Sequence, residues 1–166
     1  MKKKLITIVV SFFALFVLVG CGKAKQQEMS TADLQKELHS MENQYYSFMW
    51  QESQSSKLSD LISLEKKAKD SSKSINSSIS KLKHNKKNKK LNRQIIAFGK
   101  DSKDSINVFT DAVKNKIKGK KFDEKEFEMN TGMSVLTALS DEKKINQDHH
   151  WKEPKSQKKV IDYINS

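Results

Sequence analysis

From Glu28 onward this chain contains only three glycines, Gly99, Gly119 and Gly132, and one proline, Pro154. Glycine and proline punctuate turns, so a sequence this poor in them has few places to reverse direction. Leu34, Leu38, Met41, Tyr45 and Phe48 follow one another at intervals of four, three, four and three. Those intervals keep the five on one stripe of an α-helix and do not fit the alternation of a strand. Nowhere does an alternating apolar and polar run end in a turn pair, so the sequence reads as all-α.

The first helix opens at Ser30 or Thr31, with Asp33 in its first turn, and runs to about residue 53. No apolar residue occurs from Gln51 to Lys57. The seam then resumes, shifted by one position, at Leu58, Leu61, Ala68, Ile75, Ile79 and Leu82. The shift predicts a turn at 53–57, with a single continuous helix as the alternative. A third helix is expected over 89–118, with Leu91, Ile95, Phe98, Ile106, Phe109, Val113 and Ile117 inward. Gly119 stops it, and Lys114, Lys116 and Lys118 favour its carboxyl-terminal dipole. Asp123, with Glu126 three residues on, opens a fourth helix over 123–145. Its apolar residues are Phe127, Met133, Leu136 and Leu139, and Gly132 weakens its middle. Residues 146–155 read as irregular, and Val160, Ile161, Tyr163 and Ile164 form a short amphipathic segment. The expectation is an antiparallel bundle of three or four helices, about 31–53, 57–83, 89–118 and 123–145, with a short C-terminal helix.

The opening residues belong to a different regime. Lys2, Lys3 and Lys4 precede an apolar stretch from Leu5 to Val19, which ends in Leu18-Val19-Gly20-Cys21. The stretch is shorter than the ~20 residues of a membrane-spanning helix and fits a removed signal peptide. The tetrapeptide resembles the lipobox of bacterial lipoprotein precursors. That resemblance implies diacylglycerol attached to the Cys21 thiol and cleavage between Gly20 and Cys21. It further implies residence on the outer face of the cytoplasmic membrane, and the Lys- and Asn-rich composition fits a Gram-positive-like envelope. Two acyl chains anchor stably where one holds only marginally. The chain then divides into a signal peptide at 1–20, a flexible tether at 21–29 and a helical-bundle domain at 30–166.

Cys21 is the only cysteine, so packing alone stabilises the domain. The net charge of the 166 residues is +12, and removing Lys2, Lys3 and Lys4 leaves 29 basic residues against 20 acidic, a net +9. From Lys81 to Arg93 seven cations occur without an acid. Such density attracts polyanions, namely anionic headgroups or a wall polymer. No aromatic interleaves these lysines, so specific nucleic-acid recognition is not expected. Lys83, Lys86, Lys87, Lys89, Lys90 and Arg93 are the candidate anionic-surface contacts.

Nucleophile elbows, phosphate-cradling glycine loops and HExxH are all missing, and no enzymatic activity or cofactor beyond the lipid on Cys21 is expected. Asp148, His149 and His150, with Glu153 nearby, form too small and generic a set to assign as a metal site. The aromatic cluster from Tyr45 to Trp50 covers more than one side of a helix. Tyr46, Met49 and Trp50 fall off the seam, where they meet another helix or form a protein contact. The expected function is therefore that of a non-enzymatic, membrane-anchored lipoprotein that binds an envelope protein or an anionic envelope polymer. One rival is a protective lipoprotein that intercepts a bacteriocin or phage component through exposed aromatics. A second, a transporter's substrate-binding receptor, needs two lobes that this length and pattern do not provide.

Overall fold

Ser30 begins the first helix, α1 (Thr31–Ser53), with a reciprocal cap. Its hydroxyl accepts the Asp33 N–H at 3.1 Å, and the Asp33 carboxylate accepts the Ser30 N–H at 3.1 Å. The Ser30 hydroxyl, which also donates to the Asp33 carboxylate at 2.7 Å, and then the Ser30 N–H hold the Asp33 carboxyl below the usual carboxylate range. The chain turns at Gln54 and continues as α2 (Leu58–Lys83), α3 (Lys89–Ile117), α4 (Glu124–His149) and α5 (Lys155–Ile164). The computed structural model describes residues 28–55, 58–120 and 123–164; Leu18, Val19, Gly20, Cys21 and residues 22–27 lie outside them. Among the described residues there is no strand, and no helix is long and apolar enough to cross a membrane.

The four long helices form the expected antiparallel bundle, and the break between α1 and α2 is a turn rather than a continuation. Three boundaries differ from expectation. Met29 is buried and belongs to the packed body instead of the tether. The third helix ends at Ile117, before the left-handed Gly119 (φ +63°). The fourth runs to His149, four residues beyond the expected 145, until His150 ends it in the left-handed conformation (φ 53°). The irregular segment then shrinks to Trp151–Pro154.

α1 is the central element. It packs on α2, α3 and α5, whereas α4 packs along α3 and makes no close backbone approach to α1. Eight α1 residues are buried, including all five of its seam. Tyr45 meets Phe98 edge-on at 6.3 Å, and Phe48, Phe109 and Phe127 link α1, α3 and α4 through edge contacts of 5.9 and 5.6 Å. Gly99 lets α3 approach closely, since a Cβ there would lie 2.6 Å from Met41 Sδ and 3.1 Å from Ile79 Cγ1.

Candidate functional site

The basic stretch folds into the α2–α3 turn on an internal frame of asparagines. Asn85 and Asn92 are buried, and the lysines between them are exposed. The Asn85 carbonyl oxygen accepts the Lys87 N–H at 3.2 Å, and its amide donates to the Lys87 carbonyl at 2.9 Å. Asn92 donates to the Leu82 carbonyl at 2.7 Å, which closes the turn from the other side. Asn88 precedes α3 with φ 51°, a conformation asparagine tolerates better than most side chains. Asn85 and Asn92 thus use their amides inward, and the intervening cations face solvent.

The same turn holds the start of the described chain. The Met29 N–H donates to Asn85 Oδ1 at 3.0 Å, Glu28 forms an ion pair with Lys87, and Asn88 donates to Thr31 Oγ1 at 3.4 Å. The end of α4 arrives there too: Gln94 donates to Asp148 at 3.1 Å, and Lys90 lies 3.8 Å from the same carboxylate. The Gln94 bond, followed by the Lys90 charge, holds Asp148 below the usual carboxylate range. Thr31, Asn88, Lys89, Lys90, Asp148 and His149 contribute to an open cleft of about 470 Å³. Lys83, Lys86, Lys87, Lys89, Lys90 and Arg93 are all exposed at this one end. Glu28 and Asp148 are the acids paired with them, and no carboxylate among the described residues lies against Lys83, Lys86 or Lys89.

The aromatic candidates go elsewhere. Tyr46 and Met49 are 2% and 6% exposed and sit in the core, so the surface contact expected of them is corrected to packing. The reason is the position of α1: surrounded by three helices, it buries residues on both sides of its seam. Trp50 is half-buried, and Lys159 of α5 covers its ring with Nζ 3.9 Å from the centroid. The apolar residues left outside include Ile62 of α2, 58% exposed, and a group on α4. Met129, Met133 and Leu136 are each more than 60% exposed, against the expectation that Met133 and Leu136 face inward; Ile117 is also exposed.

α4 presents Ala138 and Ile145 inward together with the polar Glu142 and Asn146. Glu142 and, from α1, Glu42 are both fully buried and lie close enough for each to raise the cost of the other's charge. The Tyr46 hydroxyl and the Gln157 amide donate to Glu142 Oε2, and His39 Nδ1 lies 2.6 Å from Glu42 Oε2. Oε1 of each glutamate has no N–H or O–H partner among the described residues. Burial pushes Glu42 up to about 7 and Glu142 up to about 8, and it raises the Tyr46 hydroxyl as well. The Tyr45 hydroxyl, 3.1 Å from Ser105 Oγ, is likewise pushed up to about 12 by burial.

Comparison with protein-family models, with curated proteins and with solved structures finds no match.

The buried pair has no mouth to solvent, and its contacts tie α1, α4 and α5 together. Around Asp148, His149 and His150 the picture is of ordinary helix-end chemistry: His149 packs on Trp151 with ring centroids 5.1 Å apart, and His150 is the exposed cap. Among the described residues no group of three or more His, Cys, Asp or Glu is placed to hold a metal ion. Two features escaped the sequence reading: the asparagine frame and the carboxyl pair. Asn85 and Asn92 look like part of a polar run in the sequence, and only their spacing around the turn marks them. Glu42 and Glu142 are a hundred residues apart with no shared motif.

Proposed function

We propose that this chain is a lipoprotein anchored through Cys21 on the outer face of the cytoplasmic membrane, acting by contact rather than catalysis, with its basic end as the contact surface. The observation that carries the reading is the asparagine-framed turn, which fixes Lys83, Lys86, Lys87, Lys89, Lys90 and Arg93 outward at one end. A rigid cluster of cations gains more from a polyanion than a mobile one, because less side-chain and backbone freedom is lost on binding. The lipobox resemblance supports the anchor, and the excess of basic residues over the whole chain supports an anionic partner.

Interception of a bacteriocin or phage component through exposed aromatics draws no support from Tyr45, Tyr46 and Phe48, which are all buried. A receptor with a cleft between lobes is equally poorly supported by a single bundle.

Two measurements test the proposal. Metabolic labelling with an alkyne-bearing fatty acid should mark the wild-type chain and leave Cys21→Ala unlabelled and released from membranes. Retention of the purified protein on anionic vesicles or wall polymer should fall steeply with salt, and retention indifferent to salt would refute the contact surface.

A further inference from the structure

Glu28, seven residues past the anchor, and the basic turn are separated by the entire length of α1 and α2 in sequence, yet the fold brings them together. Glu28 and Met29 are fastened to Lys87 and Asn85, so the route from Cys21 into the domain enters at the basic end. The seven-residue step from Cys21 to Glu28 reaches at most about 25 Å when fully extended. The long helices themselves span ~40 Å at 1.5 Å per residue, so the opposite end of the bundle stands well beyond that reach when the basic end is nearest. A lipidated Cys21 therefore presents Lys83, Lys86, Lys87, Lys89, Lys90 and Arg93 to the headgroups at high effective concentration. A wall polymer must compete for those cations from solution.

We propose that the basic end docks on the anionic phospholipid headgroups of the bilayer that carries Cys21, a second attachment that holds the bundle end-on. The inference rests on the reading of Cys21 as lipidated and adds an orientation and a partner to it. The cleft beside Lys89 and Lys90, bounded by Thr31, Asn88 and His149, opens at this end and is wide enough to admit a phosphate-bearing headgroup. Asp148 is the acid on its wall, and its bonds to Gln94 and Lys90 offset its charge. The exposed Met129, Met133 and Leu136 lie in the half of α4 remote from the basic end, so they face away from the bilayer in this orientation.

The lipidated full chain, purified from a host that processes it, would be reconstituted into phosphatidylcholine vesicles with or without phosphatidylglycerol. A donor dye on His84→Cys at the basic end, or on Met133→Cys at the far end, would report energy transfer to an acceptor on the headgroups. Transfer from position 84 should exceed that from 133 clearly on phosphatidylglycerol vesicles. The difference should collapse in 0.5 M salt and on phosphatidylcholine alone. Without the anchor, in Cys21→Ala, affinity for the anionic vesicles should fall at least about fivefold for each of Lys86, Lys87, Lys89 and Lys90 changed to Glu.

Equal transfer from the two positions on anionic vesicles would overturn the docking, as would a difference that ignores salt and lipid charge. Release of the basic end by soluble poly(glycerol phosphate) at equal phosphate would assign the site to wall polymer and overturn it too. The salt and lipid arms use unreversed lysines, so they decide the matter even if a charge-reversed chain fails to fold. Loss of the anchor itself is separate: an unlipidated Cys21 shows as failure to float with phosphatidylcholine vesicles.

Discussion

Helices α1 and α4 are nearly the same length and bury very different amounts of apolar surface. α1 turns Leu34, Leu38, Met41, Tyr45, Tyr46, Phe48 and Met49 into the core, with Glu42 among them. α4 turns Glu142 and Asn146 inward with Ala138 and Ile145, and leaves Met129, Met133 and Leu136 outside. The difference follows from their places in the bundle. α1 is packed by α2, α3 and α5, so it buries residues on more than one side. α4 lies along α3 alone, and toward α1 it reaches only through side chains. Hydrophobicity alone thus misjudges which face of α4 points in, because Glu142 and Asn146 share the inner face with Ala138 and Ile145.

The sharpest way to break this comparison is to truncate the same class of residue on each helix. Phe48→Ala on α1 removes a fully buried ring that contacts Phe109, and should cost about 3–5 kcal/mol of unfolding free energy. Leu136→Ala on α4 should change it by less than about 0.5 kcal/mol, since that side chain is exposed. Urea denaturation followed by circular dichroism measures both. A loss of more than about 2 kcal/mol in Leu136→Ala would mean that α4 has been given the wrong inner face.

The second test concerns the buried carboxyl pair. Both Glu42 and Glu142 have folded-state values raised above the ordinary 4.5, to about 7 and about 8. Between 4.5 and those values the folded chain holds protons that the unfolded chain has released. Stability is therefore full in acid and declines as pH rises through about 7–8, by up to ~1.4 kcal/mol per pH unit for each carboxyl. Glu142→Gln should flatten that decline, because a neutral amide keeps the volume and removes one of the two raised carboxyls. Denaturation midpoints from pH 5 to 9 decide it, and a wild-type profile that rises across this range would exclude the protonated pair.

These two tests also mark what the sequence makes legible. The helices, their order and the caps at Ser30 and Asp123 follow from local chemistry, and Asp123 accepts the Glu126 N–H at 3.0 Å as its position implies. The seams of α1 and α3 are legible because their inward residues are apolar and regularly spaced. α4 defeats the same reading: Phe127, Ala138, Glu142 and Ile145 share its inner side, and a glutamate in that stripe makes the outward Met129–Met133–Leu136 stripe look like the better core. The cations of the basic turn are legible by composition. Their rigidity and their place beside Met29 are not, since both depend on asparagine side-chain bonds and on the return of a distant segment.

The smallest effects make the last contrast, between two glycines inside helices. Gly99 lies where α3 passes closest to α1 and α2. Gly99→Ala would place its Cβ 2.6 Å from Met41 Sδ and 3.1 Å from Ile79 Cγ1. Met41 is itself fully buried and has little room to withdraw, so the strain should outweigh the helix-propensity gain and cost about 1–3 kcal/mol. Gly132 sits on the exposed side of α4, and a Cβ added there would meet no atom within 4 Å. There Gly132→Ala removes backbone freedom from the unfolded chain and meets nothing in the folded one, for a gain of about 0.5–1 kcal/mol. Opposite signs from one chemical change, read by thermal unfolding of the two variants, would locate the packed and open sides of the bundle independently of any apolar residue. A gain at both positions would show instead that Met41 yields, and that the close passage of α3 is looser than its glycine implies.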